Sequence, residues 1–403
     1  MSHHDVIVIG AGLAGMTAGV RLAEAGARVL VLAKGAGATQ LSGATIDVLG
    51  YAPERVSSPR TALAAVAPEH PYARVGVEGV AAAVAWFKER FGYVGSLDEN
   101  LLLPTAVGVP KPTALVPPSM AAGDLRSGEP VLVVGFRGLR DFHPALLAEG
   151  LTRTTEISAR ALELDVAPGG RVDNNALGYA RAFDDPAFRE QAVRAVRAQP
   201  GERVAFPAVL GLSTPAWEAV AEMLGRPVFE VPTLPPSVPG MRLTAALRDA
   251  LRRAGGTLRL NNVVVGAERA GARVSALRVR VGLREVPFET DWVVLATGGF
   301  ASGGLELSSR WVAREVALGL PVAGMPAGAR FEPRYFDEHA MSRVGVAVDE
   351  KLRPDGLENV VVAGATLAGA VPWKEKSGDG ISLATGYMAA GVVSGAQTAQ
   401  VTA

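Results

Sequence analysis

Short apolar runs rich in β-branched residues recur along this chain, each about as long as one β-strand. The first run covers residues 6–9 and leads directly into Gly10-Ala-Gly12-Leu-Ala-Gly15 and an amphipathic pattern over 16–25. A second strand is predicted over 28–33, where every residue after Arg28 is apolar. Runs without polar alternation are typical of parallel strands that are covered on both faces. The pattern therefore predicts a strand, a helix and a second parallel strand at the start of the chain.

Three glycines between the first strand and the first helix have the spacing of a dinucleotide-binding turn. In such a turn, Gly10 permits the sharp bend, Gly12 lets a pyrophosphate approach the backbone, and Gly15 lets the helix pack close to the strand. The N-terminus of the helix, with its free N–H groups, then faces the phosphates. We predict that these three glycines contribute to a nucleotide-cofactor site.

From residue 59 to residue 239 the pattern changes, with many proline-rich connections between its apolar segments. It predicts elements of its own: strands over 130–135, 203–211 and 228–231, and helices over 79–91, 142–151 and 186–198. We interpret this segment as an inserted α/β cap domain.

The nucleotide-binding pattern resumes at residue 240, with a helix predicted over 243–254. Short alternating runs then predict a β-meander: 257–260, 263–267, 274–281 and 286–289. The predicted fold class is α/β: an FAD/NAD(P)-binding Rossmann-like parallel sheet with a β-meander and an inserted α/β cap domain. The predicted division assigns 1–58, 240–300 and 345–403 to a flavin-nucleotide-binding domain, and 59–239 and 301–344 to a cap that binds substrate or a partner.

The second predicted strand ends at Lys34, where many dinucleotide folds have an acidic residue on the adenosine ribose. Lys34 could pair with a 2′-phosphate, or it could be solvated, or the site could bind no adenosine. We favour the solvated lysine, because Thr39, Ser42 and Gly43 follow at once and can hold the ribose through hydroxyl and backbone groups.

Two distant strand ends favour a flavin over a nicotinamide cofactor. An apolar strand predicted from residue 291 ends in Ala296-Thr297-Gly298, and a short strand near the C-terminus ends at Gly364. A glycine-rich helical stretch over 377–391 follows. In flavoproteins with this fold, the last strand and helix return to the N-terminal glycine motif, so all three glycine-bearing ends are predicted to surround one flavin.

Composition narrows the function classes. Lysine plus arginine equals aspartate plus glutamate at 40 each, so no overall charge favours nucleic acid or an anionic membrane. The sequence has no cysteine, which excludes disulfides, zinc–thiolate sites and cysteine-ligated iron–sulfur clusters within it, and we predict no metal site. The apolar runs are too short for a signal h-region or a membrane span, so we expect a cytoplasmic chain, which a complex could hold at the inner face of the cell membrane.

Nearly the whole chain resembles the B subunit of the anaerobic glycerol-3-phosphate dehydrogenases. Besides the N-terminal glycines, the segments that carry the resemblance are 70–72, 133–142, 173–176, 180–183, 232–243, 302–305, 314–315, 318–320, 345–346, 349–350 and 352–354. The stretch Thr233-Leu-Pro-Pro-Ser-Val238 is the most specific of them, because generic flavin motifs do not include it.

The resemblance implies oxidation of sn-glycerol 3-phosphate to dihydroxyacetone phosphate, with electrons passed to a quinone. It also implies a complex with an FAD-containing A subunit, together with an iron–sulfur C subunit, and only through these would the chain contact the membrane. It implies FMN as the flavin, whereas the spacing of Gly10, Gly12 and Gly15 favours FAD. The alternative is a flavin-bearing electron-transfer or scaffold subunit without substrate chemistry of its own, and an unrelated flavin reductase or amine oxidase is a third.

Oxidation of a secondary alcohol by a flavin needs a base for the hydroxyl proton, and this substrate also needs cations for its phosphate. His339 is the candidate base, because it lies just before the chain returns to the flavin sheet. Arg314 and Arg343 are the candidate phosphate ligands, with Arg310 and Arg334 in reserve.

Overall fold

The computed structural model describes residues 3–170, 173–200, 203–213 and 216–401. The strands are β1 His4–Ile9, β2 Val29–Ala33, β3 Val94–Gly95, β4 Leu101–Pro104, β5 Pro110–Thr113, β6 Leu115–Val116, β7 Val131–Phe136, β8 Ala159–Leu164, β9 Arg203–Pro207, β10 Val228–Val231, β11 Thr257–Leu260, β12 Asn262–Ala270, β13 Arg273–Val281, β14 Arg284–Leu295, β15 Leu305–Leu307, β16 Ala313–Glu315 and β17 Val360–Val362. The helices are α1 Leu13–Glu24, α2 Pro59–Leu63, α3 Pro71–Phe91, α4 Pro118–Ala121, α5 Pro144–Thr154, α6 Ala176–Phe183, α7 Pro186–Arg197, α8 Ala216–Leu224, α9 Val238–Arg253, α10 Pro372–Glu375 and α11 Gly378–Val401.

The larger sheet has seven strands in the order β11-β2-β1-β14-β13-β12, with β17 paired to β14. Strands β11, β2, β1 and β17 run parallel to one another and to the last residues of β14, whereas β12, β13 and the first part of β14 form an antiparallel meander. The strands β1 and β2 are buried on both faces, as their continuous apolar sequences predicted. The predicted fold class is confirmed.

Strand β14 belongs to both parts of this sheet. The sequence predicted two strands, over 286–289 and from 291, but the structure has one strand of 12 residues. Its residues 284–289 pair antiparallel with β13, and residues 292–295 pair parallel with β1. The polar residues between the two parts did not end the strand, because alternate side chains of the meander face solvent.

A second sheet has four parallel strands in the order β10-β9-β7-β8, with its own hydrophobic core. Phe136 on β7 stacks on Tyr179 of α6, with ring centroids 4.7 Å apart. Parallel strands need helical crossovers, and α5 provides the one between β7 and β8. The inserted segment therefore contains an α/β unit of the predicted kind.

The boundary of that unit differs from the predicted division at residue 59. Helix α3 packs against α11, and its Trp86 ring lies 6.1 Å from that of Tyr387. Side chains of α3, including Val80 and Phe87, belong to the core of the seven-stranded sheet. The second core begins at Leu125. The sequence reveals that this helix has an apolar face, but it does not reveal the sheet against which that face packs.

Among the described residues, no helix is both long enough and apolar enough to cross a bilayer.

A single buried asparagine joins three strands of the larger sheet. Asn359, just before β17, is 1% exposed. Its Oδ1 accepts a hydrogen bond from the Val274 N–H at 2.8 Å, and its Nδ2 donates to the carbonyl oxygens of Val274 and Asp291 at 2.8 and 2.7 Å. These bonds connect the short β17 to β13 and β14.

We predict that Asn359→Ala lowers the free energy of unfolding by about 2–3 kcal/mol, because it leaves buried backbone groups without partners. Urea unfolding followed by circular dichroism measures the change. Asn262→Ala is the matched control, because the Asn262 amide makes one bond, to the Leu260 carbonyl, and is only partly buried. Equal stability of the two variants would contradict the role assigned to Asn359.

Candidate functional site

Two backbone contacts bring α1 to the carboxyl end of β1. Gly10 has a φ of +117°, and a Cβ atom there would lie 2.1 Å from the carbonyl oxygen of Ala296 at the end of β14. A Cβ on Gly15 would lie 2.1 Å from the carbonyl oxygen of Gly10. No other residue fits at either position without moving backbone. The carboxyl ends of β1 and β14 and the first turn of α1 therefore meet at one edge of the sheet.

The third glycine of the motif faces open space. A Cβ on Gly12, which precedes α1, would meet no heavy atom within 4 Å. No side chain caps the helix, and its first turn carries no acidic residue. The first N–H groups of α1 are thus free to bind an oxyanion, which the positive end of the helix also favours. This edge fits the pyrophosphate of a dinucleotide.

Gly37, which is not among the predicted site residues, also lies at this edge. Its φ is +81°, and a Cβ there would lie 2.8 Å from the Gly12 nitrogen. The loop after β2 therefore crosses close to the glycine turn. The run Gly35-Ala-Gly37 directly after a parallel strand was the available signal.

Threonines from the last strand–helix unit hold the other two glycine-bearing ends. The Thr366 hydroxyl accepts a hydrogen bond from the Gly298 N–H at 3.0 Å and lies 3.5 Å from the Thr297 hydroxyl. The Thr385 hydroxyl, on α11, accepts one from the Gly364 N–H at 2.8 Å. A Cβ on Gly364 would approach the Ala14 side chain to 2.9 Å. The predicted residues Ala296, Thr297, Gly298 and Gly364 thus lie beside the start of α1.

The predicted ribose-binding segment forms a tight turn after β2. The Ser42 hydroxyl donates a hydrogen bond to the Thr39 carbonyl at 2.9 Å and accepts one from the Ala44 N–H at 3.2 Å. A Cβ on Gly240 of α9 would lie within 2.7 Å of three carbonyl oxygens of this turn. The side chain of Lys34 is exposed. The turn is therefore held by α9, and the Ser42 hydroxyl is already used within it.

Gly43, in the same turn, packs towards Pro232, whose side chain would lie 3.2 Å from a Cβ on the glycine. Pro232 begins the Pro232–Leu243 segment that leads into α9. Ser237 of the same segment donates its hydroxyl to the Ser42 carbonyl, so this part of the family resemblance supports the turn after β2.

His339 is bound within its own loop. Its Nδ1 accepts a hydrogen bond from the Glu332 N–H at 2.9 Å, so Nε2 carries the proton and donates it to the Tyr335 carbonyl, 3.0 Å away. Both ring nitrogens are occupied by backbone groups. His339 therefore holds residues 332–339 in one conformation. It could act as a base only after these hydrogen bonds break.

The candidate arginines do not form one cluster. Arg314 is exposed and pairs with Glu306 across the β15–β16 hairpin, with Nε and Oε1 2.5 Å apart. Arg343 bonds Glu338, at 2.6 Å, and the Gly369 carbonyl, at 2.9 Å. The reserve residues Arg310 and Arg334 are exposed.

Arg343 lines a cavity of about 590 Å³, whose wall also includes Arg74 of α3, Glu338 and residues 367–369. Neither Arg314 nor His339 is part of that wall. Since residue 366 bonds Gly298, the cavity adjoins the edge at which the glycine-bearing strand ends converge.

Comparison with known proteins agrees with this geometry. Residues 5–381 match the model of a family described as FAD binding domain. A Halobacterium salinarum protein, named as the B subunit of a probable anaerobic glycerol-3-phosphate dehydrogenase, is 36% identical over 96% of this chain and 96% of its own length. The B subunit of the Yersinia enterocolitica anaerobic glycerol-3-phosphate dehydrogenase is 33% identical, over 96% of this chain and 97% of its own.

The solved structures to which this chain is similar are more distant in sequence. A variant of the E. coli quinol fumarate reductase is 9% identical, with a TM-score of 0.46, and covers 99% of this chain and 71% of its own. A flavocytochrome c3 fumarate reductase is 11% identical, with a TM-score of 0.45, over 98% and 78% of the two chains.

The matched family binds FAD, which agrees with the prediction from the glycine spacing rather than with the FMN implied by the resemblance. The chain is thus a flavoprotein oxidoreductase. Its similarity to the relatives named above extends over nearly its full length. The chain belongs to the FAD-binding family of flavoproteins and, within it, to the group of anaerobic glycerol-3-phosphate dehydrogenase B subunits.

Proposed function

We propose that this chain is a flavin-dependent subunit of a respiratory complex that oxidises sn-glycerol 3-phosphate to dihydroxyacetone phosphate and passes the electrons towards a quinone. The names of its relatives support the substrate, and their designation as B subunits supports an assembly of several different chains. With no cysteine in the sequence, a cysteine-ligated iron–sulfur relay belongs on another chain. The expected partners are the FAD-containing A subunit of that complex, together with its iron–sulfur C subunit.

In this proposal the FAD pyrophosphate binds above Gly12 and the first N–H groups of α1. Gly10 and Gly15 set the backbone that holds them there, and the turn at 39–43 lies on the ribose side. When bound, the flavin accepts the hydride of the alcohol. The chain itself must bind the substrate phosphate, orient the carbinol carbon and remove the hydroxyl proton.

The observation that carries the substrate proposal is the cavity lined by Arg343 and Arg74. Two guanidinium groups among the residues that line one cavity suit a phosphate monoester, because each offers several N–H donors in a fixed plane. Arg74 makes a long contact with Glu350, at 3.8 Å, which leaves its guanidinium available to a ligand. The cavity adjoins the segment that carries Thr366, and so lies next to the proposed flavin site.

The exposed side chains of residues 301–344 favour a second candidate function. Tyr335 and Phe336 are 83% and 79% exposed, and Trp311, Val312 and Phe331 are also exposed. Aromatic side chains at the surface are enriched in protein–protein interfaces. They support a chain that carries electrons or organises partners while the A subunit performs the oxidation.

Valine substitutions at two glycines of the motif separate cofactor binding from folding. We predict that Gly12→Val folds with nearly unchanged stability, because no protein atom lies within 4 Å of a Cβ at this position. The variant should lose FAD, because the valine side chain fills the space into which the phosphates would bind. Gly15→Val is the matched comparison, and it should unfold at lower temperature, because its Cβ meets the Gly10 carbonyl. Flavin content by absorbance and thermal unfolding measure the two effects. Full FAD content in Gly12→Val would contradict the assigned site.

The substrate proposal predicts that glycerol 3-phosphate bleaches the flavin of the purified chain under anaerobic conditions. Arg343→Ala should raise the substrate concentration for half-maximal bleaching about 10- to 100-fold, because it removes a charged hydrogen bond to phosphate. Arg252→Ala, an exposed arginine on α9, is the control and should behave as the wild type.

A flavin that does not respond to the substrate but takes electrons from the reduced A subunit would favour the electron-transfer function. Faster reduction by NAD(P)H or by an amine would contradict both proposals.

A further inference from the structure

Two carboxylates outside the predicted site residues lie together, one in the loop after residue 44 and the other in the first turn of α11. Asp47 is 8% exposed. Lys111 of β5 donates to both of its oxygens, at 3.0 and 2.8 Å, and the Thr45 hydroxyl donates to it at 3.0 Å. The Asp47 carboxylate is therefore held by three hydrogen bonds and one ion pair.

Asp379, in the first turn of α11, is the second carboxylate. The Gly380 N–H donates to the Asp47 carbonyl at 3.0 Å, which fixes the start of α11 against this loop. A Cβ on Gly380 would lie 2.6 Å from the Cα of Val48, so the two segments are in direct contact. No described residue donates a hydrogen bond to the Asp379 carboxylate, and the residue as a whole is half-buried. It can exchange a proton.

The surroundings of Asp379 favour its protonated form. Burial raises its pKa to about 7, with a further contribution from the negative charge of Asp47, and the Lys111 ammonium acts in the opposite direction. Tyr72 and Tyr93 are also buried in this region, and burial raises the pKa of each phenol well above its usual value, with a smaller contribution from the charge of Asp379. Both phenols thus stay neutral, and the charge near Asp379 comes from Asp47 and Lys111, with Glu375 beyond Tyr72.

The position of Asp379 relative to the glycine motif places it on the cofactor side of the sheet. Helix α11 packs against α1 where a Cβ on Gly386 would lie 2.3 Å from the Ala14 carbonyl. Further along both helices, a Cβ on Gly391 would lie 4.0 Å from the Arg21 guanidinium, so the two helices run in the same direction. Seven residues of helix separate Asp379 from Gly386, a rise of about 10 Å. Asp379 therefore lies beyond the phosphate-binding edge, over the carboxyl ends of the strands, where ligands of such folds extend.

We propose that Asp379, with Asp47 and Lys111, is the proton-exchanging site of the flavin pocket and accepts the hydroxyl proton of the alcohol. The identity of the alcohol in this proposal rests on the proposed function. The coupling between the Asp379 carboxylate and the flavin does not. In the step, the carbinol C–H bond breaks and its electron pair leaves with the hydrogen for the flavin. The O–H proton moves to the Asp379 carboxylate, and the C=O bond forms.

This assignment fits the chemistry better than His339. A base is most effective when its affinity for protons matches the working pH, and a carboxyl beside a second carboxylate meets that condition. Asp47 raises the proton affinity of Asp379, while the Lys111 ammonium donates hydrogen bonds to both oxygens of Asp47. The His339 ring nitrogens, by contrast, are both bonded to backbone groups.

The test measures the midpoint potential of FAD bound to the full chain against pH, with a chemical reductant and no substrate. Electrons added to the flavin raise the proton affinity of a nearby carboxylate, so the wild type should take up an extra proton on reduction near pH 7. Asp379→Asn should remove that uptake. Asp47→Asn should move it to lower pH by removing a like charge, and Lys111→Gln should move it to higher pH. Asp355→Asn, at an exposed aspartate, should match the wild type.

The same variants are then reduced with glycerol 3-phosphate. Asp379→Asn should slow flavin reduction by about 100-fold or more, the range of general base catalysis. Unchanged potentials in Asp379→Asn, or shifts in the same direction for Asp47→Asn and Lys111→Gln, overturn the proposal. Proton coupling that depends on Asp379, in a chain whose flavin does not respond to glycerol 3-phosphate, supports the proton site while the proposed substrate fails.

Discussion

The close approach of backbone to backbone at the carboxyl end of β1 is the contact on which the remaining structure depends. The Ala296 carbonyl lies against Gly10, and the Gly10 carbonyl lies against Gly15, at distances that leave no room for a side chain. These two contacts bring β14 and α1 to the same point. They also leave Gly12 facing open space at the helix N-terminus. The proposed phosphate site therefore depends on the absence of three side chains rather than on any charged group.

Polar side chains from the C-terminal part of the chain stabilise the other walls of the site through hydrogen bonds. Thr366 binds the backbone of Gly298, and Thr385 binds that of Gly364. Asn359 joins the three-residue β17 to β13 and β14. Each of these groups is buried and has its hydrogen bonds satisfied, which makes the edge of the sheet rigid at low energetic cost. A flavin held there would meet a preformed surface.

The parts of the fold that the sequence predicted are those that depend on local pattern. The run before Gly10, the spacing of its three glycines and the alternation in β12 and β13 each reflect contacts between neighbours in sequence or a regular period. The continuity of β14 was missed because its polar residues face solvent, and the membership of α3 in the larger core was missed because periodicity does not identify a packing partner.

The candidate site was predictable only in its glycine-bearing part. His339 was predicted as a base from its position in the sequence. In the structure both of its ring nitrogens bond to the backbone of its own loop, and sequence spacing cannot reveal such contacts. Asp47, Lys111 and Asp379 are far apart in sequence, and each alone is an ordinary charged residue. Only the tertiary fold brings them together and removes enough water to raise the proton affinity of Asp379.

The two sheets also differ in how their strands are distributed along the chain. All four strands of the smaller sheet lie between residues 131 and 231, whereas the larger one draws on residues 4–33, 257–295 and 360–362. During synthesis on the ribosome, the smaller sheet can therefore close while β1 and β2 still lack most of their neighbours. The larger, flavin-binding sheet cannot be completed, and its first apolar strands stay uncovered, until about the last hundred residues have been synthesised. Cofactor capture is consequently a late event in the maturation of this polypeptide.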